Sequence, residues 1–110
     1  MTQRGDILLI KNAKVFIGKS FVDADVLFDD SILAVGKLPG EADIDAGGAY
    51  LIPGLVDIHT HGAMGEDFSD GNYEGLIKIA KYLASEGVTS FAPASMTLPY
   101  DVLETAFAAG

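Results

Sequence analysis

The stretch Leu51-Ile-Pro-Gly-Leu-Val-Asp-Ile-His-Thr-His-Gly62 contains both histidines of the chain, His59 and His61. After the Pro-Gly turn, residues 55–59 have the apolar character of a buried β-strand. Because side chains alternate faces along a strand, His59 and His61 are expected to project from one face, with Asp57 behind them. Two adjacent imidazoles form half of a site for a divalent metal ion. The stretch therefore predicts metal-assisted hydrolysis.

Two other interpretations of these polar residues have to be weighed. Histidines at a strand end could simply be hydrogen-bonded or solvated, but the Pro-Gly turn, Asp57 and Gly62 around them favour metal ligation. Asp57 could accept a hydrogen bond from a ligand histidine and orient it. It could equally be a structural aspartate at the start of the strand, and this second interpretation is the one we favour.

The sequence after Gly62 predicts a loop, a helix, a strand and the start of a second helix. Residues 62–71 form a Gly-rich loop, Asn72 is a suitable N-cap, and Gly87 is a suitable helix stop. Residues 88–92 have strand character, and Pro99 favours the start of another helix. Strand, helix and strand in this order predict a parallel pair with a right-handed connection. The apolar faces predicted for the two helices are Tyr73, Leu76, Ile77, Ala80, Leu83 and Ala84, and then Val102, Leu103, Ala106 and Phe107.

Several residues of this half are given structural roles. Asp67 and Asp70 are interpreted as solvated loop carboxylates or as charges at a helix start. The three loop glycines serve the backbone, which they free to adopt positive φ or to approach another segment closely. Ser95 and Thr97 follow the second strand and are interpreted as turn-capping hydroxyls. The glycines are Gly62, Gly65 and Gly71.

The first half of the chain predicts a small antiparallel β unit, because turn residues recur every 8 to 12 positions. Asn12-Ala13 separates two apolar runs, and turns follow at Gly18 and at Asp29-Asp30-Ser31. Pro39-Gly40 and residues 45–48 are breaks. The fold class is therefore α/β with an N-terminal β unit. The predicted strands are 7–10, 14–17, 21–28 and 32–35.

Composition excludes several classes of protein. The chain has 110 residues, of which 49% are apolar and 21% are charged, and this is typical of a globular domain. The net charge of −9, with only 7 scattered Lys and Arg, argues against nucleic-acid partners and anionic membranes. There is no cysteine and no apolar run of the roughly 20 residues that a membrane span requires. The N-terminus lacks a secretory pattern, so a cytoplasmic location is expected.

The Pro-Gly turn that leads into Asp-x-His-x-His resembles the amidohydrolase superfamily. Within it, the segments 61–71 and 87–99 are most similar to the N-acetylglucosamine-6-phosphate deacetylases, although Ala94 stands where a threonine is usual. The resemblance implies a distorted eight-stranded TIM-like barrel with a small β-sandwich. Residues 1–52 would be part of that sandwich, and residues 53–110 would be the incomplete barrel, namely its first two β/α units.

The resemblance also implies chemistry and partners. His59 and His61 would be ligands of a divalent metal ion, which could be zinc, iron or manganese; they could hold a second metal, since some members lack both histidines. The substrate would be a phosphorylated amino sugar, and the general base, main metal ligands and phosphate clamp would lie elsewhere. We therefore expect no catalytic residue here, no activity from the isolated chain, and association with a second copy or with the remainder of the enzyme. The alternatives are a dihydropyrimidinase-like or deaminase member, or a truncated chain without activity.

Overall fold

The computed structural model describes residues 6–110, so Arg4 and the other residues before Asp6 lie outside the described part. The chain forms two compact units, and the second comprises Gly54–Gly110. The strands of the first unit are β1 (Leu8–Ile17), β2 (Ser20–Phe28), β3 (Ile32–Gly36), β4 (Ile44–Asp45) and β5 (Tyr50–Leu51).

The first unit is a five-stranded sheet with the order β3-β2-β1-β4, in which β5 also pairs with β1. β1, β2 and β3 form the predicted antiparallel arrangement. β4 and β5, however, run parallel to β1, so the prediction of a purely antiparallel unit was wrong. These short strands flank the break that the sequence marked at residues 45–48, and main-chain pairing with β1 needs no apolar pattern of its own.

β1 is one strand, whereas the sequence predicted two runs separated by Asn12-Ala13. Between Ile10 and Ala13 the register shifts by one residue, which is the geometry of a β-bulge. Asn12 has a φ of 59°, and asparagine tolerates this left-handed conformation better than most residues. Asn12 and the bulge therefore bend the strand without ending it.

The core of the first unit lies on one face of this sheet. Ala13, Val15, Ala24 and Val26 are buried there. Their neighbours along the strands point to the other side, as the period of two requires. On that side the rings of Phe16, Phe21 and Tyr50 contact one another, with centroid separations of 5.3 and 4.7 Å, and remain largely exposed.

Asp25 is a buried carboxylate that satisfies main-chain donors at the bulge. The Leu38 N–H and the Asn12 N–H each donate to it at 3.0 Å. The pKa of Asp25 is lowered, first by the hydrogen bond from Leu38, then by that from Asn12; burial opposes the shift, and the charges of Lys11 and Lys37 support it. The ionised form of Asp25 therefore stabilises the fold.

We expect Asp25→Asn to destabilise the chain at neutral pH and to flatten its acid dependence. Because the pKa of Asp25 is lowered in the folded state, its contribution is fully present above the unfolded value of about 3.9. The contribution is lost as the pH falls through the lower folded pKa. Urea melts between pH 7 and pH 2 should show the two proteins converging at low pH. Asp23→Asn, at an exposed carboxylate on the same strand, is the control. A constant difference at every pH would contradict this role.

The elements of the second unit are β6 (Leu55–Thr60), β7 (Gly62–Ala63), β8 (Glu66–Asp67), α1 (Tyr73–Ser85), β9 (Val88–Pro93) and α2 (Tyr100–Ala109). β6 and β9 run parallel and are hydrogen-bonded to each other, so they form the predicted parallel pair. The segment predicted to be a loop is more ordered than expected. It contains the hairpin β7–β8 and a 3₁₀ turn, Phe68–Asp70.

The ends of α1 were predicted correctly, and Leu83 is buried as predicted, but the rest of its buried face differs from the prediction. Asn72 Oδ1 accepts a hydrogen bond from the Glu74 N–H at 3.0 Å, and Gly87 adopts a positive φ after the last turn. The buried positions are Gly75, Ile79 and Leu83, whereas Tyr73 and Ala84 are exposed. The predicted face omitted Gly75 and Ile79.

Gly75 lies where the Glu66 side chain of β8 reaches α1. A Cβ at Gly75 would lie 2.8 Å from Glu66 Oε2, so a larger residue would have to displace the end of that side chain. With the hairpin and β9 packed on this side, Ile79 is left 1% exposed. Leu76, Ile77 and Ala80, which were predicted to be buried, are half-buried at the margin.

β6 is not the fully buried strand that its apolar sequence predicted. Val56 and Ile58 are exposed, the latter at 82%. Within residues 6–110, β6 pairs with β9 alone, so its other edge is unpaired there. α2 begins at Tyr100, directly after Pro99, and of its predicted apolar face only Ala106 is fully buried. No helix in the described part is long and apolar enough to cross a membrane.

Candidate metal centre

His59 and His61 lie together at the carboxyl end of β6. Their Nε2 atoms are 3.3 Å apart, and their rings are nearly perpendicular, with centroids separated by 4.9 Å. The arrangement follows from the alternation of side chains along the strand, which places residues two apart on one face. His59 is exposed and His61 is half-buried, so the pair is open to a ligand from solution.

The orientation of the His61 ring is fixed from its other side. His61 Nδ1 lies 2.7 Å from the carbonyl oxygen of Ala94. A carbonyl only accepts hydrogen bonds, so this contact places the proton on Nδ1 and leaves a lone pair on Nε2. Ala94 is itself held in place, because its N–H donates to the Thr60 carbonyl at 2.8 Å. Backbone acceptors of this kind commonly orient metal-binding histidines.

The paired nitrogens fit a divalent metal ion. Two zinc–nitrogen bonds of about 2.0–2.1 Å at a tetrahedral angle span about 3.3 Å. This value matches the observed separation of the two Nε2 atoms. The residues of 6–110 provide no group of three or more His, Cys, Asp or Glu that could hold a metal. Within this part of the chain the histidine pair presents two nitrogen atoms, whereas a complete zinc site has four ligands.

Asp57 has the structural role that we favoured. Its Oδ1 accepts the backbone N–H of His59 at 3.0 Å, so this carboxylate oxygen is directed at the main chain. The contact fixes the backbone conformation just before the first candidate ligand. Asp57 therefore supports the histidine pair through the strand and not through an imidazole.

Asp67 and Asp70 cap the 3₁₀ turn. Asp67 Oδ1 accepts the Ser69 N–H at 2.7 Å, while Asp70 Oδ2 accepts the Asp67 N–H at 3.2 Å. This reciprocal pair is a capping box. The interpretation of both residues as charges at a helix start is thus confirmed, although the helix concerned is this turn and not α1.

Ser69 was missed by the sequence analysis. It is buried, and its Oγ accepts the Met96 N–H at 3.0 Å. The segment after β9 thus contributes main-chain groups to the site, whereas the sequence drew attention to the hydroxyls of Ser95 and Thr97. Because Ser69 and Met96 are 27 positions apart, no local pattern could have connected them.

Gly62 allows the chain to reverse directly after His61. A Cβ at this position would collide with the carbonyl oxygen of Glu66 and lie 2.9 Å from Asp67 Cα, both on the partner strand of the hairpin. The close approach of two backbones, and not a positive φ, therefore requires glycine here.

We expect Gly62→Ala to lower the free energy of unfolding by about 1 to 3 kcal/mol, the usual cost of forcing extra atoms into a packed site. The hairpin has to move, and His61, as the preceding residue, moves with it. Urea denaturation measures the first effect, and Zn²⁺ titration of the folded variant measures the second. An unchanged midpoint would show that β8 can shift without cost.

Comparisons with known proteins find similar sequences, although no family model matches the chain. The N-acetylglucosamine-6-phosphate deacetylase from Vibrio furnissii is 35% identical over 86% of this chain, and that from Bos taurus is 31% identical over 90%. The chain spans only 25% and 27% of these relatives' lengths. An adenine deaminase from Bacillus pumilus is 40% identical but over only 49% of the chain, so the deaminase alternative is weaker.

A solved structure gives the same result. It is a variant of the N-acetyl-D-glucosamine-6-phosphate deacetylase from Mycobacterium smegmatis, in complex with N-acetyl-D-glucosamine-6-phosphate. It superposes on 96% of this chain with a TM-score of 0.84 and 25% identity, and the match covers 29% of its own length. By sequence and fold, this chain belongs with the N-terminal region of the N-acetylglucosamine-6-phosphate deacetylases, a family of amidohydrolases.

Proposed function

We propose that the enzyme containing this chain hydrolyses the acetamide of N-acetylglucosamine 6-phosphate to give glucosamine 6-phosphate and acetate. The observation that carries the proposal is the pair of Nε2 atoms, 3.3 Å apart at the end of β6, in a chain similar to deacetylases over most of its length. The substrate class comes from the names of the relatives and from the sugar phosphate bound in the solved structure.

The two histidines would hold a divalent metal ion, either zinc, iron or manganese, through Nε2. When bound, such an ion lowers the pKa of a water molecule to about 7 and polarises a carbonyl group. The role of this chain is positional. The Ala94 carbonyl keeps the proton of His61 on Nδ1, and Asp57 holds the main chain at His59. Further metal ligands, the general base and the phosphate-binding groups are proposed to come from sequence beyond these 110 residues.

The domain assignment is part of the same proposal. Residues 1–52 would contribute to a small β-sandwich, and residues 53–110 would supply the first two β/α units of a TIM-like barrel. In such barrels, active sites lie at the carboxyl ends of the strands, and this is where His59 and His61 lie on β6. Cytoplasmic location and association with a second copy remain predictions. The exposed apolar residues Val56 and Ile58 favour some form of association.

The test is acetate release by the full-length protein. N-Acetylglucosamine 6-phosphate should be deacetylated far faster than unphosphorylated N-acetylglucosamine, and adenine or dihydropyrimidine substrates should not react. Preferential turnover of adenine or of a cyclic amide would replace the proposal with one of the alternatives. The isolated 110-residue chain should release no acetate, and turnover by a well-folded monomer would contradict the roles assigned to the rest of the enzyme.

A further inference from the structure

We propose that Ser69 is a positioning residue for the metal centre, because its hydroxyl holds the segment whose Ala94 carbonyl fixes the tautomer of His61. The inference rests on the proposed metal site and assigns to it a residue that does not touch the metal. It concerns only side chains and backbone groups of the second unit, all of them within the described residues.

The first step is the short connection between Ser69 and the ring. Ser69 Oγ accepts the Met96 N–H at 3.0 Å, and two residues earlier the Ala94 carbonyl accepts from His61 Nδ1 at 2.7 Å. The Ala94 N–H donates to the Thr60 carbonyl at the end of β6. β9 ends at Pro93, just before Ala94. The Ser69 hydroxyl is therefore the next fixed point along the chain. Without it, the peptide that presents the carbonyl is held from one side only.

The second step is the rigidity of Ser69 itself. Its side chain is buried, its own N–H is bound to Asp67, and the turn that carries it is closed by the capping box. The adjacent Phe68 is 5% exposed and packs against Phe107 of α2, with ring centroids 5.5 Å apart. A hydroxyl on such a support can define the position of its partner.

The third step is that the same turn also contacts the histidine directly. The Phe68 N–H donates to the His61 carbonyl at 2.8 Å. The turn thus fixes the main chain of His61 and, through Ser69, the acceptor of its ring. A carbonyl that drifted from Nδ1 would allow the proton to move to Nε2, where it would occupy the lone pair that a metal ion needs.

The experiment compares wild type, Ser69→Ala, Ser69→Thr and the control Ser85→Ala, which removes an exposed hydroxyl bonded to the Tyr82 carbonyl in α1. Long-range ¹H–¹⁵N spectra of the metal-free chain report which nitrogen of neutral His61 carries the proton. Titration with Zn²⁺ alone reports affinity. We expect the proton on Nδ1 in wild type, a mixture of tautomers in Ser69→Ala, and about tenfold weaker Zn²⁺ binding, the lower end of losses at residues that orient metal ligands.

Ser69→Thr, which keeps the hydroxyl, should restore both readouts, and Ser85→Ala should leave both unchanged. If Ser69→Ala does not fold, Ser69→Cys, which has a similar size but is a weak acceptor, takes its place. Protonation of Nε2 in the wild type would overturn the inference, as would a Ser69 variant with wild-type tautomer and affinity. The tautomer of His61 is measured without metal or substrate. The outcome of this experiment therefore does not depend on the outcome of the deacetylase assay.

Discussion

Replacement of either His59 or His61 by alanine is expected to weaken Zn²⁺ binding to the chain by more than about 100-fold, because residues that only orient ligands already account for 10–100-fold. Both rings supply an Nε2 atom to the same point at the end of β6, so neither is sufficient alone. Competition with a chromophoric chelator measures the affinity, and elemental analysis of the purified full-length variants measures the metal retained.

Thr60→Val is the matched control for this experiment. It alters the residue between the two histidines, keeps the shape of the side chain, and retains the carbonyl that receives the Ala94 N–H. Its Zn²⁺ affinity should equal that of the wild type. If both alanine variants bind Zn²⁺ as the wild type does, the histidine pair is not a metal site. If only one of them does, the shared site at 3.3 Å is refuted.

Ile79→Ala is expected to lower the free energy of unfolding by about 2 to 5 kcal/mol, as is typical when a buried isoleucine is truncated to alanine. Ile79 is 1% exposed and has the largest side chain among the fully buried residues of the described part. It lies on the face of α1 that packs against β9 and the hairpin, so the cavity would open next to the elements that carry the metal centre. Urea denaturation followed by circular dichroism gives the value.

Ile77→Ala is the appropriate comparison, because it makes the same change two positions away in the same helix. Both substitutions replace a β-branched residue by the best helix former, so the gain in helix propensity cancels and burial alone remains. Ile77 is half-buried, and its truncation should cost clearly less. Equal losses at the two positions would mean that the helix is rotated toward the face that the sequence had predicted.

The two helix ends and the buried face of α1 show how far local pattern can be trusted. Asn72 and Gly87 act through groups within three residues of themselves, so the sequence was sufficient to identify them. The buried face of the helix depends on its packing against the hairpin and β9, and no pattern within the helix reports those contacts.

The same distinction holds for the sheets. The antiparallel hairpins of β1, β2 and β3 connect neighbours in sequence through short turns, and they were predicted. β4 and β5 pair with β1 across more than 30 positions. Their pairing was not predicted, because it uses main-chain hydrogen bonds that any sequence can make. The exposure of Val56 and Ile58 depends on what covers the strand and not on the strand itself.

For the candidate site, the sequence by itself determined the two histidines, their common face and the glycine that turns the chain after them. Each of these follows from the period of a strand or from the size of a side chain. Only the tertiary structure decided that the two Nε2 atoms lie 3.3 Å apart, that the Ala94 carbonyl orients His61, and that Ser69 holds the segment carrying that carbonyl. The last two contacts join residues that are 33 and 27 positions apart in the sequence. Only the packing of the folded chain brings residues so far apart in sequence within hydrogen-bonding distance.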